Sequence, residues 1–376
     1  MKVVVAADKF KGSLTAREVA DALRAGVSRT APTARVVRVP VADGGDGTLE
    51  AALSAGFERR PVTVAGPTGD PVDTAYARRG DTAVVELADA SGLLRLPGPP
   101  APWAADTSGT GQVLATAIED GCRQVVLGVG GSCSTDGGAG LVTALGAQLL
   151  DADGEPIAPG ATGLRAVHRL DLTALRTRLA GVSVVLACDV DNPLLGPGGA
   201  AAVYGPQKGA GPDDVPLLET ALAGWADLVA RVTGRDLRDA PGAGAAGGAG
   251  FAALALLGAE LCSGVRTVLD LVGFDDVVRS ADLVVTGEGS LDEQSLRGKA
   301  PIGVVTAATR LGIPVVGVCG RTTLDAATLA EAGFRRVWSL ADHEPDPAVS
   351  MRDAARLLTA VGADLGHHLH QLAPTR

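Results

Sequence analysis

The stretch "VADGGDGTLE", Val41–Glu50, decides the fold. It follows an apolar run, "ARVVRVPV" (Ala34–Val41), and packs two aspartates and three glycines into Asp43–Gly47. The run reads as a strand, and "GDGTLEAALSAGF" (Gly45–Phe57) opens a helix at or just after the glycines. An apolar strand, a polar glycine-rich loop and a helix are the grammar of an open parallel α/β sheet. The glycines permit a sharp exit from the strand. In such sheets ligands collect beyond the carboxyl ends of the strands, which is where this reading puts Asp43. Asp46 sits just before the helix, where capping competes with ligand binding.

The same grammar recurs on both sides of this stretch. "KVVVAAD" (Lys2–Asp8) reads as a strand and Ser13–Pro32 as a helix, with Ser13 or Thr15 placed to cap it and Glu18 close behind. The last hundred residues alternate in the same way. "ADLVVTGEG", "IPVVGVCG" and "RRVWSL" are strands; Lys299–Gly312, Thr323–Phe334 and a segment from about Ala354 to Leu369 are helices. Each terminal piece supplies about half of a doubly wound sheet. One Rossmann-like parallel-sheet domain made from residues 1–65 and 266–376 is therefore expected. Residues 66–265 are expected to form an inserted mixed α/β domain, with the active site in the cleft between the two.

The middle has a different texture. Arg60–Gly92 reads as two or three antiparallel strands with turns at Gly69-Asp70 and Gly80-Asp81. Thr110–Gly121 reads as a helix, Arg123–Ser132 as a strand and Gly137–Leu150 as a helix. Gly181–Gly196 reads as a strand running into a polar loop, and helices are expected over Asp214–Gly234 and Gly250–Leu261.

Composition narrows the function. Among 376 residues, 43 are acidic and 33 basic, for a net charge of −10, and aromatics make up 3%. Without a dense basic block or stacking aromatics, nucleic-acid binding is disfavoured. The glycine count of 51 is about twice the roughly 7% typical of globular proteins, which points to tight turns and close backbone approaches. No strongly apolar stretch reaches membrane-spanning length, and the first apolar run is too short for a signal peptide. The five cysteines are widely spaced and without a CxxC, so neither a disulfide framework nor a zinc site is suggested. A reducing cytoplasm is the expected setting, with a monomer or homodimer as the state.

Several polar loops follow the expected strands: "ADKFKGS", "VADGGDGT", "GVGGSCSTDGGAG", "ACDVDNPLLG" and "TGEGSLDEQSLRGK". Between them they carry Asp8, Lys11, Ser13, Asp43, Asp46, Ser132, Ser134, Asp136, Asp189, Asn192, Glu288, Asp292 and Lys299. Glycine-rich backbone, carboxylates and a few lysines are the parts needed to hold Mg²⁺, cradle phosphates and orient a hydroxyl nucleophile. The loop Gly128–Gly140 combines six glycines with three hydroxyl side chains between a strand and a helix start, a natural anion nest. Lys208 and Lys299 each suit a carboxylate or a phosphate as partner. No GxxxxGK[ST] loop, HExxH pair or G-x-S-x-G elbow is present.

These loops, in order, resemble the bacterial glycerate kinase family of type I. The resemblance is carried by "DKFKGSLTA" (Asp8–Ala16), "PVADGGDGT" (Pro40–Thr48), "TSGTGQ" (Thr107–Gln112) and "GVGGSCSTDGGAG" (Gly128–Gly140). It continues through "ACDVDNPLLGPGGAAAVYGPQKGA" (Ala187–Ala210), "PGAGAAGGAG" (Pro241–Gly250) and "TGEGSLDEQSLRGKAPIGV" (Thr286–Val304). Lys9 departs from the pattern, standing where the family often has serine. The resemblance implies ATP- and Mg²⁺-dependent phosphorylation of D-glycerate, with 2-phosphoglycerate as the expected product and 3-phosphoglycerate as the other possible one. Among the residues, Asp189 is the expected base with Asp43 as its rival, and Lys11 contacts phosphate or the glycerate carboxylate. Asp8, Ser13, Asp46, Asn192 and Lys208 are expected at the substrate. Gly130, Gly131, Ser132, Ser134, Asp136, Gly137 and Gly138 are expected at the nucleotide, and Glu288 and Asp292 at the metal. The alternatives are a non-enzymatic sugar-acid sensor and an NAD-dependent 2-hydroxy-acid dehydrogenase. The dehydrogenase lacks its early GxGxxG, since the first strand leads instead into "DKFKGS".

Overall fold

The computed structural model describes residues 1–373, apart from the side chain of Arg297. The chain divides into two compact units: Met1–Asp43, Glu50–Ala55 and the chain from Val265 onward form the first, and Gly44–Leu49 with Gly56–Gly264 the second. The strand Glu58–Ala65 belongs to the second unit, where it pairs antiparallel with Pro71–Arg79. The expected boundary at 65 therefore moves back to Gly56, because a strand goes with the sheet that takes up its hydrogen bonds.

The first unit is built on a five-stranded sheet with neighbours in the order Phe334–Ser339, Val315–Thr322, Leu283–Leu291, Lys2–Val5 and Arg35–Arg38. Every pairing is parallel. Alternation along the first strand explains why it reads as one apolar run. Val3 and Val5 face a core with the helices Ala16–Thr30 and Ala354–Leu372. Val4 and Ala6 face a second core with Val265, Phe274 and the helix Ala300–Arg310. A strand buried on both faces needs no polar alternation. The helix cap also resolves: Thr15 accepts from the Glu18 backbone N–H at 3.2 Å, while the Glu18 carboxylate accepts from the Thr15 N–H at 2.8 Å. This reciprocal box leaves Ser13 outside the cap, and its hydroxyl donates to the Met351 carbonyl at 2.6 Å.

The second unit holds a six-stranded sheet in the order Glu260–Cys262, Ser183–Ala187, Gln124–Gly128, Thr82–Glu86, Pro71–Arg79 and Glu58–Ala65. The first four are parallel to one another, and Pro71–Arg79 pairs antiparallel with both of its neighbours. Two expected helices are shorter than their apolar patterns. Gly137–Leu150 is helical only over Ala139–Ala144, because Gly146 turns at a φ of 108° and Gln148–Leu150 pairs with Arg169–Asp171. Within Gly250–Leu261, Glu260–Cys262 leaves the helix to become an edge strand. No helix among the described residues is long and apolar enough to cross a membrane.

Candidate active site

In the first unit three carboxylates gather at the carboxyl ends of adjacent parallel strands. Asp8 follows the strand Lys2–Val5, Asp43 follows Arg35–Arg38, and Glu288 lies late in Leu283–Leu291. The Asp8 backbone N–H donates to the Gly287 carbonyl at 2.8 Å, which fixes its place beside the third strand. Burial lifts the Asp8 carboxyl to about 7; Lys9 opposes the rise, and Asp43 and then Glu288 add to it. Burial likewise raises Glu288, against a hydrogen bond from Ser295 and the charge of Lys299, with Asp43 and Asp292 pushing the same way as burial. The Glu288 Oε1 atom is buried without a hydrogen-bond partner. Asp292 is committed to a local turn: its Oδ1 accepts from the Gln294 N–H at 2.9 Å and the Ser295 N–H at 3.2 Å. Lys11 is exposed, one residue past the buried Phe10.

In the second unit Gly44–Leu49, the middle of the opening stretch, is laid across the strand ends. A Cβ on Gly44, whose φ is 84°, would stand 2.6 Å from the Ala187 carbonyl oxygen and 2.8 Å from the Gly264 Cα. One on Gly130 would meet the Gly45 Cα at 2.5 Å. These positions take glycine because backbone lies against backbone. Asp189, two residues beyond the strand Ser183–Ala187, accepts through Oδ1 from the Ser263 hydroxyl and the Gly264 N–H, both at 2.9 Å. Gly264 is thus shared: it abuts Gly44, the residue after Asp43, and it orients Asp189.

Glu86 completes this seating and was not singled out by sequence. It ends the strand Thr82–Glu86, and its Oε2 accepts from Gly47 N–H at 3.1 Å and Leu49 N–H at 2.9 Å. A carboxylate closing the apolar run "TAVVE" was the available signal. Burial raises its pKa to about 7, with the two backbone N–H groups opposing and Asp46 and Asp89 adding. The native carboxyl therefore holds its proton over a range where the unfolded one has lost it. Its share of stability is present at low pH and falls as pH rises from the unfolded value of 4.5 to about 7. Glu86→Gln removes that loss. Chemical denaturation across this range is expected to show the variant gaining on the parent by up to about 3 kcal/mol as pH rises. Parallel curves would contradict the seating.

The loop after Gln124–Gly128 is pinned on several sides. Gly131, Gly137 and Gly138 take left-handed φ values of 75°, 63° and 74°. Trp225 Nε1 donates to the Gly137 carbonyl at 3.0 Å, and Cys133 N–H donates to the Ser91 carbonyl at 3.2 Å. Asp136 is spent inside the loop. It accepts from Thr107 N–H (3.0 Å), Thr107 Oγ (2.7 Å), Gly138 N–H (3.2 Å) and Gly140 N–H (3.1 Å). It therefore shapes the loop and orders the start of the next helix. Ser132 accepts from Lys208 Nζ at 2.8 Å. Asn192 braces its own loop, donating to the Gly198 carbonyl at 2.8 Å and accepting from the Tyr204 hydroxyl at 2.6 Å. The structure thus gathers Asp8, Asp43 and Glu288 in one unit. In the other it gathers Asp46, Gly130, Gly131 and Glu86, while Ser13, Asp136, Asn192 and Asp292 serve local structure.

Carboxylates and glycine-rich loops collected at the carboxyl ends of parallel strands mark an α/β protein with candidate small-molecule sites. Residues 3–370 match the model of the glycerate kinase family. The chain belongs to that family. It is 42% identical over 344 residues to the glycerate kinase of Bacillus subtilis, covering 90% of each chain. It is also 42% identical over 345 residues to the glycerate 2-kinase of Escherichia coli K12, again covering 90% of each. A crystal structure of a glycerate kinase 2 candidate from Salmonella typhimurium LT2 superposes with a TM-score of 0.84 at 39% identity, over 99% of this chain and 98% of that one.

Proposed function

We propose that this protein is an ATP- and Mg²⁺-dependent D-glycerate kinase that forms 2-phosphoglycerate. The observation that carries the reading is the family match across residues 3–370, which takes in every loop described above. The 2-phospho product is supported by the naming of the Escherichia coli relative as a glycerate 2-kinase.

In this reading Asp189 is the base that takes the proton of the attacking glycerate hydroxyl. Its Oδ1 is already oriented by Ser263 and Gly264, which fixes the carboxylate plane. Asp43 is the rival for that role and otherwise orients substrate. Lys11, exposed and cationic, meets phosphate or carboxylate oxygens. Asp8 and Asp46 bear on the substrate, and Gly130, Gly131 and Ser132 face the nucleotide phosphates. Gly137 and Gly138, expected there too, serve by shaping the loop, since their N–H groups go to the Gly247 carbonyl at 3.0 Å and to Asp136 at 3.2 Å. Ser13 and Asn192 act through the loops they hold together.

The residues fit a magnesium ion. Glu288 Oε1 is a buried carboxylate oxygen lacking a donor, and Asp8 and Asp43 raise the density of hard oxygen ligands around it. Among the described residues no three metal-binding side chains are grouped for an all-protein cage. This agrees with the few protein ligands Mg²⁺ commonly takes, the rest being water and phosphate oxygens. Glu288 would hold the ion and Asp292 would reach it through water. When bound, the ion neutralises charge on the transferring phosphoryl group.

None of the five cysteines forms a disulfide among the described residues, which suits a reducing cytoplasm. The test is ADP release with ATP and Mg²⁺, measured with and without D-glycerate. Glycerate-dependent release is the expected result. Glycerate binding without ADP release would make the protein a sensor, and glycerate-dependent reduction of NAD would make it a dehydrogenase.

A further inference from the structure

Lys208 is 1% exposed, and its ammonium has no carboxylate within ion-pair distance among the described residues. Two of its three hydrogens are used, by Ser132 Oγ at 2.8 Å and the Ser134 carbonyl at 2.6 Å. Both acceptors are neutral. The nearest acid in the loop, Asp136, has its oxygens taken by Thr107, Gly138 and Gly140. The loop that accepts this cation carries two fully buried hydroxyls, Ser134 Oγ and Thr135 Oγ1, with no hydrogen-bond partner. Facing it is Gly247. A Cβ there would collide with the Ser134 carbonyl and stand 2.9 Å from Lys208 Nζ. The preceding Ala246 holds a φ of 52°, the one left-handed non-glycine among the described residues.

A buried charge without a counter-charge and two buried hydroxyls without partners are each costly. Ser134 and Thr135 lie on the loop pinned by Trp225 and Ser91, and Lys208 reaches that loop from the turn Pro206–Lys208. We infer that Lys208, Ser134 and Thr135 form a receptor for the carboxylate of the acid substrate, resting on the kinase reading above. One open ammonium donor and two hydroxyl donors match the two oxygens and single negative charge of a carboxylate. A polyphosphate carries several charges and needs more than one cation, so it suits this enclosed place poorly. Ser134 thereby moves from the nucleotide to the acid substrate, and Thr135 joins the site.

Lys208 is pulled down to about 8 by burial, with Cys133 and Asp136 pulling it back up. Affinity for the acid is therefore expected to fall as pH passes through about 8, and to lose that dependence in Lys208→Met. The experiment compares Lys208→Met, Ser134→Ala and Thr135→Val with the parent for the KM of D-glycerate, the KM of ATP and the melting temperature. The expected result is a rise of about 10- to 100-fold in the KM for D-glycerate with the ATP value unchanged. The melting temperature stays level or rises in Ser134→Ala and Thr135→Val, since each removes an unsatisfied buried hydroxyl, and falls in Lys208→Met, which takes the donor from the Ser132 hydroxyl and the Ser134 carbonyl. Thr135→Val preserves shape and charge, so it carries the test if Lys208→Met fails to fold.

An unchanged KM for glycerate would overturn the inference and leave the kinase reading standing. A raised KM for ATP alone would overturn it too, placing phosphate there instead. If the parent makes no phosphoglycerate, the kinase reading fails, and calorimetry with D-glycerate alone decides the receptor. Binding lost in Lys208→Met or Thr135→Val upholds it; binding equal in parent and variants, or absent from all, overturns it.

Discussion

Asp189→Asn is expected to lower the turnover of glycerate phosphorylation by about 10²- to 10⁴-fold, the range set by a positioned general base. The substitution keeps the side chain's shape and its Oδ1 contacts. An asparagine Oδ1 still accepts from the Ser263 hydroxyl and the Gly264 N–H, which the aspartate holds at 2.9 Å each. What disappears is the charge and the capacity to take a proton, so the melting temperature should move little. The KM values should also change less than kcat, because the lost interaction matters when the hydroxyl proton is leaving. Steady-state kinetics beside a thermal melt separates these quantities. Near-parental turnover would take the base role from Asp189, and Asp43→Asn measured alongside then shows whether the rival holds it.

Gly44→Ala is the second large effect, and it acts through packing. The residue has a φ of 84°, a conformation that costs an alanine about 1–2 kcal/mol. Its new methyl group would also stand 2.6 Å from the Ala187 carbonyl oxygen and 2.8 Å from the Gly264 Cα. Both are backbone atoms of packed segments and cannot swing aside as the end of a flexible side chain can. Overpacking of this kind adds about 1–3 kcal/mol, so a total loss of about 2–5 kcal/mol is expected in chemical denaturation. Activity should fall further than stability alone explains. Gly264 carries the N–H that orients Asp189, and Asp43 is the neighbouring residue in the chain. A variant as stable and as active as the parent would show that this close approach does not organise the site.

Much of the fold was legible because strand alternation and loop chemistry agreed. Val3, Val4 and Val5 are all buried, and the short apolar run they form, ending at a polar loop, fits a parallel strand covered on both faces. Gly146 marked the end of its helix, yet the apolar residues Leu149 and Leu150 beyond it continued the helical pattern and hid a short strand. A three-residue strand carries too few residues to display its period. The site was legible as a set of loops and less so as roles. Nothing in "GGSCSTDGG" tells that Asp136 turns inward to four donors while the hydroxyls of Ser134 and Thr135 find none. Glu86 escaped because a single carboxylate after an apolar strand is common, and its significance comes from residues about forty positions earlier. The opening stretch itself divides between the two units after Asp43, a break that hydropathy does not mark.

The most direct measurement is proton-coupled phosphorus NMR of the product formed from D-glycerate, ATP and Mg²⁺. A phosphate on the secondary carbon has one neighbouring proton and gives a doublet; one on the primary carbon has two and gives a triplet. A new glycerate-dependent phosphomonoester doublet is the predicted result. A triplet would contradict the 2-phosphoglycerate assignment, and the absence of any glycerate-dependent phosphomonoester would contradict the kinase itself.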